Sequence, residues 1–356
     1  MRLAFYAPMK SPHHSVPSGD RSIARGLMQA FRHLGAEVEL VSEFRSRDGA
    51  GDAEVQARLI REAGAERERL LTTPDRWDAW VTYHNYYKAP DLLGPDVSRK
   101  LGIPYLLVEA TRARKRLTGP WAAFAKQAEA ATDAAKVVYY FSQRDGEALH
   151  RDAPEGQDLL HLRPFLIRDD LPAASAGGMR LLSVGMLREG DKLASYQIIA
   201  KTLTRLPDLD WQLDIVGDGP ARAEVEAMMT PFGDRVTFHG ALTGAALEAC
   251  YRAAGLFFWP GVNEALGMAF LEAQAAGLPV IAQNRPGMRE VLAPGDYPTV
   301  EQGPEGLAAM MRNLMSDDAA RQAAQVAARR HVKTQHLLPQ AAETLKQGLL
   351  RAGVAA

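Results

Sequence analysis

Cysteine is almost missing from this chain: Cys250 stands alone among 356 residues. A single thiol closes no internal disulfide and builds no thiolate cluster for a structural zinc, so stability must come from apolar cores. A surplus of one charge is missing too. With 42 basic against 43 acidic side chains the net charge is −1, which excludes wholesale nucleic-acid binding, since that demands a basic excess. No apolar run approaches the ~20 residues that a membrane-spanning helix needs. The start, Met1-Arg-Leu-Ala-Phe-Tyr6, has no long apolar centre of the signal-peptide kind and reads as a first strand. The expected compartment is therefore cytoplasmic, with any membrane contact peripheral. The nine histidines are scattered without metal-ligand spacing.

What is present is length and apolar content, 356 residues of which 47% are hydrophobic, enough for two domains of ordinary size, each with its own core. Short apolar runs of strand type (Leu3–Tyr6, Val38–Val41, Ala79–Thr82, Tyr105–Val108, Val137–Phe141) alternate with longer stretches of helical period. Such alternation predicts parallel sheets covered by helices. After Phe165 the pattern gives way to a stretch rich in Pro, Gly and small residues. It then resumes with Leu181–Val184, Gln212–Val216, Val236–Phe238, Leu256–Trp259 and Val280–Ala282. The expectation is an α/β protein of two doubly wound, Rossmann-like domains, 1–168 and 179–335, joined by a linker at 169–178 and followed by a helix at 336–356. Ligands of such sheets bind outside the carboxyl ends of the strands, so a central cleft is the expected site.

The densest chemistry lies in Asn263-Glu-Ala-Leu-Gly-Met-Ala-Phe-Leu-Glu-Ala-Gln-Ala-Ala-Gly277, where Glu264 and Glu272 stand eight positions apart around Gly267. A helix opening near Gly267 presents its free amides, those of Leu266, Gly267, Met268 and Ala269, and the positive end of its dipole, which together suit a diphosphate. The two carboxylates then flank one anion site, and a nucleotide-sugar has hydroxyls on both sides of its diphosphate. With the apolar run Leu256-Phe-Phe-Trp-Pro260 before it and Gly277-Leu-Pro-Val-Ile-Ala282 after it, the segment resembles the Glu-x7-Glu signature of the family-four retaining glycosyltransferases, which have the GT-B fold.

The resemblance extends to other segments. Ser18-Gly19 at the start of an amphipathic helix is similar to the family's Gly-Gly loop, with the second glycine kept. Leu182-Ser-Val-Gly-Met-Leu-Arg-Glu-Gly-Asp-Lys192 resembles the segment where the family places an arginine and a lysine on the diphosphate. Lys192 fits, whereas the arginine position is Met186, and Arg188 is the nearest substitute. Val216-Gly-Asp-Gly-Pro220 looks like the family's turn near the nucleotide, although a tight turn that needs glycine explains it equally. The family often has a histidine where Glu109 stands. Two readings remain for Glu109, a hydrogen-bond partner of a sugar or acceptor hydroxyl, or a carboxylate capped or paired by Arg112 and Arg114. His84, like Glu109, follows an apolar strand and is a candidate on the acceptor side. Asp208 and Asp210 spell a metal-binding pattern but fall between a helix and the next strand, at the sheet end opposite the expected cleft. No metal and no cofactor are expected, the nucleotide-sugar being a co-substrate.

The resemblance implies a retaining, metal-independent hexosyltransferase-type enzyme that moves a sugar from a nucleoside-diphosphate-sugar to an acceptor hydroxyl in glycan, polysaccharide or glycolipid synthesis. It implies Glu264 on the sugar, Glu272 on the ribose, Lys192 and Gly19 on the diphosphate, and final helices crossing back to the first domain. Alternatives are a sugar-nucleotide epimerase on the same fold, a member that binds nucleotide without transfer, and a two-lobed binding protein. The run Thr111-Arg-Ala-Arg-Lys-Arg116, followed by Trp121 and Phe124, reads as a solvated face, as an acceptor-phosphate site, or as a helix lying on an anionic membrane.

Overall fold

Most of the apolar runs become strands buried on both faces, as expected where helices cover a parallel sheet. The computed structural model describes residues 1–16, 18–73, 77–264 and 266–355. It divides into two units, 1–163 with 338–356, and 164–337.

The first unit alternates β1 (Arg2–Tyr6), α1 (Gly19–His33), β2 (Glu37–Ser42), α2 (Ala53–Thr72), β3 (Ala79–Asn85), α3 (Gly94–Leu101), β4 (Tyr105–Ala110), α4 (Ala122–Ala134), β5 (Val137–Tyr140), α5 (Gln143–Asp152) and β6 (Asp158–His161). Its parallel sheet runs β2-β1-β3-β4-β5-β6. The second unit follows with β7 (Arg180–Val184), α6 (Asp191–Leu203), β8 (Gln212–Val216), α7 (Arg222–Met229), β9 (Val236–Gly240), α8 (Gly244–Ala253), β10 (Leu256–Phe258), α9 (Met268–Ala275), β11 (Val280–Ile281), α10 (Gly303–Ser316) and α11 (Asp318–Gln335). Its parallel sheet runs β11-β10-β7-β8-β9.

Strand order locates the sites. In the first sheet the winding reverses between β1 and β3, and in the second between β7 and β10. Loops leaving neighbouring strands at a reversal diverge to opposite faces and open a crevice at the strands' carboxyl ends. Gly19 opens the helix that follows β1 and His84 lies at the carboxyl end of β3, while Lys192 lies in the first turn of the helix that follows β7 and Glu264 in the loop after β10.

The last helix, α12 (Leu338–Arg351), belongs to the first unit. Tyr139 Oη donates to Leu345 O at 2.8 Å, and a Cβ at position 348 would stand 2.0 Å from that hydroxyl, so glycine is required where α12 crosses β5. The stretch 169–178, expected as the linker between the domains, is bonded to the second unit: Ser175 N donates to Ala276 O at 2.7 Å, Ala176 N to Arg252 O at 3.1 Å, and Arg329 Nη1 to Pro172 O at 3.1 Å. Small residues here permit close backbone approach.

The basic run after β4 is not one helix. Arg114–Arg116 form a single 3-10 turn and α4 begins at Ala122. Phe124 is fully buried in the first core, which removes it from any lipid-facing side. Among the described residues no helix is long and apolar enough to cross a membrane.

Candidate active site

Glu264 and Lys192, 72 positions apart in sequence, meet at the reversal of the second sheet. Lys192, in the first turn of α6, bonds through Nζ to Glu264 Oε1. The same oxygen accepts Trp259 Nε1–H at 2.9 Å, and the Lys192 ammonium stands 5.2 Å from the Trp259 ring centroid. Trp259 is in turn fixed by an edge contact with the buried Tyr196 ring at 5.2 Å. The loop carrying Glu264 is tied to α6 by Asn263 Nδ2 donating to Asp191 Oδ1 at 2.9 Å and Val262 N donating to Ser195 Oγ at 3.3 Å. Asn263 holds φ 46°, a left-handed conformation that asparagine tolerates better than most side chains.

The turn Val216-Gly-Asp-Gly-Pro220 braces the opposite side of this loop pair. A Cβ on Gly217 would lie 1.9 Å from Gly185 O, and one on Gly219 would lie 2.3 Å from Leu187 O. Leu187 N donates to Asp218 O at 3.1 Å and Ala221 N to Leu187 O at 2.9 Å. These glycines position the segment leading to Lys192.

Gly267 caps α9 in the left-handed region at φ 57°. A Cβ there would reach within 2.8 Å of Val291 Cγ2 and 3.0 Å of Phe270 Cδ2, so only glycine fits. Its carbonyl accepts from Phe270 N at 2.9 Å, and the earlier first-turn amides have no acceptor within the helix itself. Buried Gln274 holds α9 in place, accepting Ala293 N–H at 2.6 Å and donating to Val291 O at 2.8 Å. Of the expected amide donors, Leu266, Met268 and Ala269 are half-buried and Gly267 is buried.

Glu272 sits one turn into α9 and accepts from Tyr251 Oη of α8 at 2.8 Å. Burial pushes its carboxyl above the usual range, against the opposing pull of the Tyr251 hydrogen bond and the Arg168 charge. Glu272, Tyr251, Leu247, Glu248 and Arg168 line one cavity of about 400 Å³. Arg188 is exposed, as is Met186 at the position where the family carries a cation. Asp208 pairs bidentately with Arg312, a bond that holds its carboxyl down at about 2. It thus serves a surface ion pair. No group of three or more potential metal ligands occurs among the described residues.

In the first unit, His84 and Glu109 lie opposite each other between the β3/β4 pairs Tyr83↔Val108 and Asn85↔Ala110. Both take left-handed backbone, φ 67° and 62°, a strained choice for non-glycine residues that concentrates at functional sites. His84 Nδ1 donates to Asp20 Oδ1 at 3.2 Å and stands 3.8 Å from Glu109 Oε2. Burial alone would lower the His84 pKa, but the Glu109 charge and the Asp20 bond raise it above its ordinary value. Burial raises that of Glu109, with His84 opposing. Glu109 Oε2 and the neighbouring Tyr83 Oη are buried close together, and the Tyr83 hydroxyl, like His84, opposes the burial that raises the Glu109 pKa. The arginines near Glu109 are engaged elsewhere, Arg112 with Glu129 and Asp133, and Arg114 with Asp152, which removes the reading of Glu109 as an arginine-paired carboxylate. Gly19 opens α1 with Ser18 as N-cap, and a side chain there would meet open space, so packing does not require the glycine.

Trp259, Tyr251 and Asp20 were not foreseen as partners of the acidic and histidine candidates. Trp259 carried one signal, the end of a buried-type run just ahead of Glu264, while Tyr251 reads as an ordinary core aromatic of an amphipathic helix.

Residues 178–317 match the family model described as Glycosyl transferases group 1. Over 83% of this chain and 81% of the other, it is 25% identical to D-inositol 3-phosphate glycosyltransferase of Arthrobacter sp. (strain FB24). Among solved structures it resembles sucrose-phosphate synthase from Thermosynechococcus elongatus, with a TM-score of 0.69 at 18% identity covering 97% of each chain. It also resembles Anabaena HepE in complex with UDP and glucose, with a TM-score of 0.67 at 15% identity covering 98% of this chain and 99% of that one.

Residues 178–317 are a group 1 glycosyltransferase domain. The glycosyltransferase has the GT-B fold, two parallel-sheet α/β domains. Its domain match encloses β7 through α10, and with them Lys192, Glu264, Gly267 and Glu272.

Proposed function

We infer that this glycosyltransferase holds a nucleoside-diphosphate-sugar at α9 of the second unit and transfers the sugar to an acceptor hydroxyl with retention of configuration, without a bound metal. The observation that carries the reading is the Lys192–Glu264–Trp259 cluster before the amino end of α9, with Glu272 one turn inside. Glu264 accepts hydrogen bonds from the sugar hydroxyls and Glu272 from the ribose. Amides of Leu266 to Ala269 hold the diphosphate, and Lys192 neutralises the charge that grows on the leaving nucleoside diphosphate. Arg188, exposed and close to the Met186 position, is available as a second cation.

Residues of the first unit meet the acceptor in this reading. Glu109, buried beside His84 and Tyr83, accepts from a sugar or acceptor hydroxyl, and His84 fixes Glu109 while pairing with Asp20. Gly19 offers bare backbone for close approach to the diphosphate. A leaving-phosphate oxygen takes the acceptor's proton on the face of departure, so no separate protein base is assigned. HepE, whose solved complex contains UDP and glucose, supports a nucleotide-sugar donor for this chain.

Proton NMR of a fresh transfer product tests the mechanism. The product keeps the donor's anomeric configuration, and the rate is unchanged after exhaustive treatment with a chelator. An inverted product, or activity lost to chelator and restored by a divalent cation, would refute the respective half of the proposal.

A further inference from the structure

Three loops at the carboxyl ends of β2, β3 and β4 are locked together in the first unit, and they bring two unneutralised cations onto one pair of rings. Asp48, itself buried, accepts from Ala50 N at 2.8 Å, Asp52 N at 2.8 Å and Gln56 Nε2 at 2.8 Å. Its own amide donates to Lys88 O at 2.9 Å. Buried Gln56 also donates to Pro120 O at 2.8 Å and accepts from Phe124 N at 3.3 Å, which fixes the backbone on both sides of Trp121. From the other direction, Arg112, with its side chain 2% exposed, bonds Glu129 and Asp133 and anchors the turn that carries Arg116.

On this frame the Lys88 ammonium stands 5.2 Å from the Trp121 ring centroid and 5.8 Å from that of Tyr87. The Arg116 guanidinium stands 5.2 Å from each. Among the described residues neither cation is paired with a carboxylate, although the chain holds 43 acidic side chains. Arg116 Nε and Trp121 Nε1 are buried donors without an acceptor. Half-buried like charges repel each other, and the ring faces compensate only in part. An oxyanion beside the rings neutralises both cations, which no carboxylate of the described residues does.

We propose that Lys88, Arg116 and Trp121 form a binding site for a phosphate group, and that this group is carried by the acceptor. The second clause rests on the transferase reading, with the first unit on the acceptor side; the anion site itself does not. Phosphate of this chemistry comes either from a soluble phosphate monoester or from a lipid headgroup, and the experiment separates them.

With the donor site saturated by UDP or GDP, whichever binds, inorganic phosphate and glycerol 1-phosphate are titrated against the wild type and the Lys88→Ala/Arg116→Ala double variant. In parallel both proteins are sedimented with phosphatidylcholine vesicles with and without phosphatidylglycerol. Soluble phosphate binding that weakens about tenfold or more in the variant assigns the site and a soluble source. Sedimentation that requires phosphatidylglycerol and is lost in the variant assigns the same site and a headgroup source. Equal behaviour of the two proteins in both arms, or no binding by the wild type in either, overturns the proposal. Nucleoside diphosphate affinity is unchanged in the variant; that readout confirms folding and tests the donor site separately. Lys88→Arg, which keeps the charge, retains the binding.

Discussion

Replacing Glu264 with alanine lowers kcat about 100- to 1,000-fold, the scale of losing a charge-assisted contact that strengthens in the transition state, while the protein remains folded. The fold is spared because Glu264 and Lys192 keep 16% and 17% side-chain exposure, so the remaining lysine is still solvated. Steady-state kinetics with circular dichroism as a folding control check both halves. Lys192 touches the same oxygen that receives Trp259 Nε1–H, so Lys192→Met and Glu264→Ala do not add: residues in direct contact couple. The double variant is expected close to the worse single one. Additive losses would mean that the two side chains act on separate parts of the donor, and full activity in Glu264→Ala would remove the carboxylate from the site.

Glu272→Gln weakens nucleoside diphosphate binding about tenfold at pH 8, since a hydrogen bond to a charged acceptor contributes about 1.5–3 kcal/mol. The difference shrinks as pH falls. Burial raises the Glu272 pKa despite Tyr251 and Arg168, so in the ligand-free protein the carboxylate becomes protonated at a pH above the ordinary glutamate value and stops accepting both ribose hydroxyls. Below that pKa wild type and variant converge; above it they separate. Phosphate protonation affects both proteins alike and cancels in the comparison. The same shift acts on stability with a definite sign. A carboxyl whose folded pKa is raised favours the native state below the unfolded pKa, and that contribution is lost as pH rises through the folded one. Calorimetric titrations from pH 4.5 to 8 measure the binding effect, and a constant ratio across that range would exclude Glu272 as the ribose acceptor.

Much of this architecture can be read before folding. Strand-type runs at Leu3–Tyr6, Ala79–Thr82 and Leu256–Trp259 become β1, β3 and β10 because β-branched and aromatic residues buried on both faces have few other places in an α/β protein. β6 escaped because Asp158-Leu-Leu-His161 is a short edge strand, only half-buried and with polar residues at both its ends. The segment 169–178 reads as a linker because it is rich in Pro, Gly and small residues, and the same residues let backbone atoms of Ser175 and Ala176 reach Ala276 and Arg252.

At the site, local spacing shows Glu264, Gly267 and Glu272, since one loop and one helix turn bring them forward. It cannot show that Tyr251 serves Glu272, that Trp259 and Lys192 share an oxygen of Glu264, or that Asp20 reaches His84 across 64 positions. Those pairings depend on strand order, which places β7 beside β10 and β1 beside β3. The left-handed backbone of His84 and Glu109 likewise has no signature in residue type.

Amide hydrogen exchange on α9, followed with and without the nucleoside diphosphate that binds, tests the donor seat most directly. Seating the diphosphate on the helix end slows exchange at Leu266, Gly267, Met268 and Ala269, and the slowing is lost when a bulkier residue replaces Gly267. Unchanged exchange at those four amides, with protection appearing elsewhere in the chain, would contradict it.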